Sequence, residues 1–164
     1  MSTATRTHLP VESSGPAGKR QGKVSEFTVI APLKEGGAGR LRALLSADPE
    51  ADMRASDRVG TVHDMRFVIF DDDTRLLFST AYDGDVDPYL EDFVAKIPDE
   101  LDYLFSEVEG WPGASAPGVK DFIYKYQLTA DFWYCAYPES TVKDVHRGQR
   151  IMAAVDQLLD ASQS

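Results

Sequence analysis

Asp64 and Arg66 stand two residues apart in the run VHDMRFVIF, and in a β-strand side chains two apart leave the backbone on the same face. A carboxylate and a guanidinium so placed can orient a polar ligand. Arg66 would hold an anionic or enolate oxygen, and Asp64 would move a proton. The plainer alternative is an ion pair between the two at the surface. Ser79, on the strand that follows, falls opposite Arg66 and adds a hydroxyl to the same face. His63 sits beside the pair but alternates onto the other face, near the strand end. There it can hydrogen-bond Tyr82, itself a candidate ligand-binding residue with Ser79, Trp111 and Tyr134, and serve either as a third catalytic side chain or as a structural histidine.

Other residues offer weaker chemistry. His146 lies one position past Val145 on a C-terminal helical pattern, so it can be half-buried. As a haem ligand it would need an inward projection and an acceptor for its second ring nitrogen. Trp111, Trp133, Tyr134, Tyr137 and Phe70 can line an apolar cavity for a flat ligand, with some of them serving as core. Asp71 to Asp73 and the Tyr82-Asp83-Gly84-Asp85 turn lack the full spacing of a calcium loop, and turn or cap roles explain them. Cys135 lies among aromatics, where a thiol is inert packing. The sequence carries no zinc-ligand pair, phosphate-cradling glycine loop or serine-hydrolase motif.

The elements that must position these residues follow from periodicity. Strands are expected at 61–70 and 75–82, closed by the turn Asp71-Asp72-Asp73-Thr74. The pairing that sets Phe70 opposite Arg75 also sets Phe67 opposite Phe78, Met65 opposite Thr80, His63 opposite Tyr82 and Arg66 opposite Ser79. It gathers Met65, Phe67, Ile69, Leu76 and Phe78 on one greasy face for helices to cover. The other face is a mixed lining of Asp64, Arg66 and Ser79 among Val68, Phe70, Leu77 and Ala81.

Around this hairpin, residues 24–32 alternate as a strand, and AGRLRALLSA reads as a helix that resumes from Pro49 to Ser56. Two helices are expected after Asp85, divided at Pro98, and a short one over 119–127. The segment 131–137, DFWYCAY, reads as the most aromatic strand. A long final helix, capped by Ser140, carries Val142, Val145, Gln149, Met152, Val155 and Leu159 at three- and four-residue spacing.

The order strand, helix, strand, strand, helix, strand, helix is that of a ferredoxin-like βαββαβ antiparallel sheet with extra helices. With the central hairpin and the turn Pro32-Leu33-Lys34-Glu35-Gly36-Gly37, it resembles the dimeric α+β barrel superfamily over about residues 24–159. That superfamily includes antibiotic-biosynthesis-type monooxygenases and lactone isomerases, and haem-using relatives such as chlorite dismutases. The resemblance implies an α+β domain with helices on one sheet face and a pocket on the other, completed as a barrel by a second copy. A homodimer binding a hydrophobic, oxygenated small molecule is the expectation. The chemistry would be a cofactor-free monooxygenation or isomerisation, with a haem peroxidase-like reaction through His146 or a non-catalytic ligand-binding subunit as alternatives.

Charge and composition bound the partners. The formal net charge is -10, which argues against nucleic acid or an anionic membrane, since both select a basic face. No apolar run approaches the length of a membrane span, and a lone cysteine suits a reducing interior, so a cytoplasmic address is expected. Residues 1–23, rich in Ser, Thr, Gly and Pro, set Arg6, Lys19, Arg20 and Lys23 against Glu12. They read as a disordered basic arm able to lie on an acidic surface, leaving 24–160 as the single folded domain.

Overall fold

Alternation of branched and aromatic residues builds one antiparallel sheet, and apolar stripes at helical spacing cover one side of it. The computed structural model describes residues 9–163. Its N-terminal part comprises strands β1 (Val11–Ser13), β2 (Lys19–Gln21) and β3 (Val24–Pro32), then helices α1 (Gly37–Ala47) and α2 (Pro49–Val59). The hairpin follows as β4 (Val62–Phe70) and β5 (Arg75–Asp83). Helices α3 (Val86–Lys96), α4 (Pro98–Phe105) and α5 (Val119–Lys125), strand β6 (Gln127–Leu128) and helix α6 (Val142–Gln163) complete it. The fold is α+β, with sheet order β1, β2, β3, β5, β4 and β6 beside β3 on the edge that β2 also uses.

The hairpin register agrees with the hydrophobic pattern. Phe70 faces Arg75, Phe67 faces Phe78, Arg66 faces Ser79 and Met65 faces Thr80. Phe67, Phe78 and Phe105 form a ring cluster with centroids 5.0 to 5.8 Å apart. Phe27, Leu76 and Tyr82 are fully buried on the same side, against Leu41 of α1, Val59 of α2 and Tyr89 and Phe93 of α3. The helix-covered face is therefore the core.

The turn strains its own residues. Asp71, Asp72 and Asp73 have φ of 58°, 49° and 66°, in the left-handed region that costs side-chain-bearing residues about 1 kcal/mol or more. Asp73 is held by a two-pronged ion pair with Arg42 at 2.6 and 2.8 Å, and the Thr74 hydroxyl donates to the Asp71 carbonyl. Asp72 has no such partner among the described bonds. Asp72→Gly is expected to stabilise the fold by about 0.5–1 kcal/mol, read as a higher urea midpoint at unchanged slope. A lower midpoint would refute the strain.

At the far end of β4 the expected pairing fails. Val62, not His63, faces Tyr82, while Asp64 faces Ala81, so His63 is the extra residue of a β-bulge. Val62 needs the apolar side, where it packs against the core, and His63 is displaced. Its Nε2 lies 2.7 Å from Asp83 Oδ1, and the Tyr82 hydroxyl instead meets that of Ser14 at 3.1 Å.

Two further expectations are corrected together. Residues 9–23 of the supposed arm are ordered: β1 and β2 form a hairpin that extends the sheet past β3, with Arg20 bridging Glu12 at 3.3 Å and Asp85 at 2.6 Å. Gly18 lets this hairpin close on β3, because a Cβ there would overlap the Glu26 carbonyl. Residues 1–8 lie outside the described residues. The aromatic segment 131–137 is no strand. Continued beyond Thr28↔Leu128, the β6 register would put Ala130 and Phe132 opposite Glu26 and Val24, and β2 already occupies those positions. The segment instead runs as an irregular strap, tied down where Lys23 N donates to the Pro138 carbonyl at 2.7 Å and Lys19 Nζ to the Asp131 carbonyl at 2.9 Å.

Helix α6 begins in a reciprocal cap between Thr141 and Asp144 rather than at Ser140, and the first helical N–H, of Val142, donates to Asp83 Oδ2 at 2.9 Å. From Lys143 to Ser162 every residue of it is exposed. No helix among the described residues is long and apolar enough to cross a membrane.

Candidate functional site

The side of the sheet away from the helices is polar in rows. Because β3, β5 and β4 are in register, Glu26, Ala81 and Asp64 lie across the strands in one row, and Thr28, Ser79 and Arg66 in the next. Ile30, Leu77 and Val68 form an apolar third. Ala81 is the smallest side chain of its row, which leaves a hollow between the two carboxylates. The strap supplies a wall of Ala130, Phe132 and Trp133, and the resulting depression holds about 400 Å³. A second depression of about 250 Å³ shares Asp64, Ala81 and Trp133 with it and adds His63, Tyr134 and Cys135.

Glu26 is the buried charge of this surface, at 4% exposure. Burial pushes its carboxyl above the ordinary glutamate range; hydrogen bonds from the Lys19 and Ala130 backbone N–H groups and the Thr28 hydroxyl pull part of the way back. Such a group can both give and take a proton. Asp64 and Arg66 are half exposed, and Arg66 Nη2 donates to Asp64 Oδ1 at 3.2 Å. The Thr28 and Ser79 hydroxyl oxygens are 3.5 Å apart, completing a strip of donors and acceptors.

Asp64, Arg66 and Ser79 are thus brought together as their spacing requires, and the bulge turns His63 to the Asp64 side. Tyr134 borders the adjoining depression from the strap. Tyr137 borders it as well, whereas Tyr82, Trp111 and His146 lie elsewhere. Tyr82 alternates to the core side, where its ring stacks on Tyr89 with centroids 3.8 Å apart. Trp111 packs between Phe105 and Phe122 behind the sheet, its indole N–H donating to Asp102 at 2.8 Å. It borders an apolar core void of only about 40 Å³, room for a few atoms at most. His146 is exposed on α6 and opens on a separate depression with Ser56, Asp57 and Gly60. Within one chain these residues do not fit a haem held by His146 with Arg66 and Asp64 opposite, because the two sets line different hollows. Among the described residues no group of three or more His, Cys, Asp or Glu is placed to hold a metal ion.

Glu26 escaped sequence reasoning although its signal was present. It is the one acid in the strand VSEFTVIAP, on the parity opposite Phe27, Val29 and Ala31. A carboxylate in a strand of that composition faces either solvent or a site. No family model, curated protein or solved structure matches this chain.

Proposed function

We propose that the open sheet face binds a hydrophobic, oxygenated small molecule and that Glu26 moves a proton on it, in the manner of a cofactor-free isomerase or monooxygenase of the α+β barrel type. The observation that carries the reading is a buried carboxyl facing a depression of about 400 Å³ that also presents Arg66, Thr28 and Ser79. That volume is in the range of small-molecule sites, and its mixture of aromatic wall and few polar groups is their usual lining. The strand order β6, β3, β5, β4 supports a split βαββαβ arrangement within the larger sheet. The open face supports a second copy as cover.

The chemistry begins with proton removal. Glu26 in its ionised form takes a proton from an acidic C–H or phenolic O–H of the ligand, and the negative charge moves onto the ligand oxygen beside Arg66. Returning the proton to another atom completes an isomerisation with no net oxidation. A monooxygenation continues from the same enolate with dioxygen as oxidant: a CH2 of the ligand becomes C=O by gaining one oxygen atom, and the two hydrogens it loses leave with the second oxygen atom as water. Asp64 orients the Arg66 guanidinium in either case.

The test is binding of a flat hydroxyaromatic acid such as hydroxynaphthoate, followed by calorimetry. Arg66→Ala is expected to weaken binding by at least about tenfold, the worth of one charge-assisted hydrogen bond. Unchanged affinity in both Arg66→Ala and Asp64→Ala would remove the site assignment. Binding without any turnover would favour a ligand-storing or sensing subunit, and a Soret band on adding haemin that disappears in His146→Ala would favour the haem alternative.

A further inference from the structure

The bulge that releases His63 also gives it a backing. Its Nε2 lies 2.7 Å from Asp83 Oδ1, and Asp83 Oδ2 accepts from the Val142 N–H at 2.9 Å. Both oxygens of the carboxylate are thus engaged, and the Asp83 side chain is only 12% exposed. An ionised carboxylate has no hydrogen to give, so a neutral imidazole against it carries its proton on Nε2 and keeps Nδ1 as an acceptor. A carboxylate fixed at one ring nitrogen, making a base of the other, is how acid–base histidines are oriented. His63 borders the depression of about 250 Å³ and Asp83 does not, which puts the carboxylate behind the ring and leaves Nδ1 to the hollow.

This hollow continues the one beside Arg66. Asp64, Ala81 and Trp133 line both, so floor and aromatic wall run from one into the other. Arg66 and His63 stand three residues apart on β4, roughly 10 Å at the rise of a strand. A fused-ring molecule with a polar group at each end covers such a span.

We infer that His63, oriented by Asp83, is a second acid–base residue of the site, and that the ligand is a fused-ring compound with an anionic group at Arg66 and a hydroxyl at His63. The inference rests on the binding site proposed above and extends it into the second hollow. Nδ1 takes the hydroxyl proton, the O–H electron pair stays on the ligand oxygen and spreads into the ring system, and Asp83 balances the imidazolium that forms. Return of that proton to the ligand restores the neutral imidazole, with no net oxidation. His63 meets the ligand and is the catalytic residue. Asp83 acts through it and is a positioning residue.

Calorimetry of the full chain, above the pH at which imidazoles titrate, tests this with three probes. They are a hydroxynaphthoate with its carboxylate and hydroxyl at opposite ends, the methyl ether of that acid, and the isomer with both groups on adjacent carbons. The native chain should bind the opposite-ended acid about five- to tenfold more tightly than its ether, which has no hydrogen for Nδ1. Asp83→Asn is the decisive variant. The Val142 N–H still needs an acceptor, so the carboxamide oxygen keeps that contact and its NH₂ donates to Nε2, which drives the ring proton onto Nδ1. The preference for the hydroxyl should then vanish, with the proton's move read separately by long-range proton–nitrogen NMR of the ring. A merely structural ion pair would move neither readout. A native chain indifferent between acid and ether, or a preference that survives once the proton is on Nδ1, would overturn the role of His63. A ring proton that stays on Nε2 in Asp83→Asn would overturn the role of Asp83. The adjacent-group isomer reaches Arg66 alone: if Arg66→Ala weakens it about tenfold while His63 fails its test, the site proposed above stands without the second hollow. Failure of the native chain to bind any of the three would overturn both.

Discussion

Tyr82→Ala is expected to lower the stability of the fold by about 3–5 kcal/mol, a large part of what a domain of this size possesses. Tyr82 is completely buried, and its ring stacks on that of Tyr89 at an interplanar angle of 14°, with Phe93 edge-on beyond. Truncation removes the ring and leaves a cavity among rigid neighbours, on a strand paired along both edges. It also severs the hydroxyl contact with Ser14, through which the β1–β2 hairpin is joined to the core. Tyr82→Phe separates the two effects, keeping the ring and costing about 1 kcal/mol for the hydrogen bond. Chemical denaturation of the three proteins measures both. A loss below about 1 kcal/mol for the alanine variant would mean that the ring is not the keystone its burial indicates.

Glu26→Gln is expected to do the opposite to stability and to abolish proton transfer. Because burial raises the carboxyl's pKa in the folded chain above its unfolded value, folding favours the protonated form. The stability that this proton contributes is fully present below the ordinary glutamate range and is lost as pH rises through the raised folded value. Glutamine mimics the protonated group at every pH. The variant should therefore match the native protein in acid and exceed it in stability at neutral pH, the gap opening across that interval. A gap that is the same at every pH would refute the burial argument. Turnover, once a substrate is in hand, should fall by about 10²–10⁴-fold, the usual worth of a positioned acid or base. A pure binding subunit would show a change in affinity alone, so one variant separates enzyme from receptor.

Much of this arrangement was legible in the chain. The hairpin register follows from the need to keep Met65, Phe67 and Ile69 on one side with Leu76 and Phe78, and it places Arg66 opposite Ser79. Helix limits at Pro49, Pro98 and Gly36 follow from local backbone chemistry. The errors came from competition between segments, which local pattern does not record. Lys19 to Gln21 have no strand-like composition, yet they take the edge of β3, and the far more strand-like 131–137 loses it. Tyr82 and Trp111 have the aromatic character common to sites and cores; only strand parity and the position behind the sheet separate them. Glu26 is visible as a chemical anomaly, but its burial depends on the N-terminal hairpin and the strap, neither of which local pattern indicates.

The bulge at His63 has a meaning for how such a chain can change. Side chains on a strand are written in a two-letter alternation, and one inserted residue is a frame-shift that reassigns everything upstream of it to the opposite side. Here the shift is confined to the last pair, so Val62 is returned to the oily side and His63 is released toward the polar one, while Asp64 through Phe70 keep their places. Deleting one residue at this point would rejoin Val62 directly to Asp64 and remove the imidazole without disturbing the rest of the ladder. The histidine thus occupies a detachable position, one that insertion or loss of a single codon could add to or strip from the ligand side of an otherwise constant sheet.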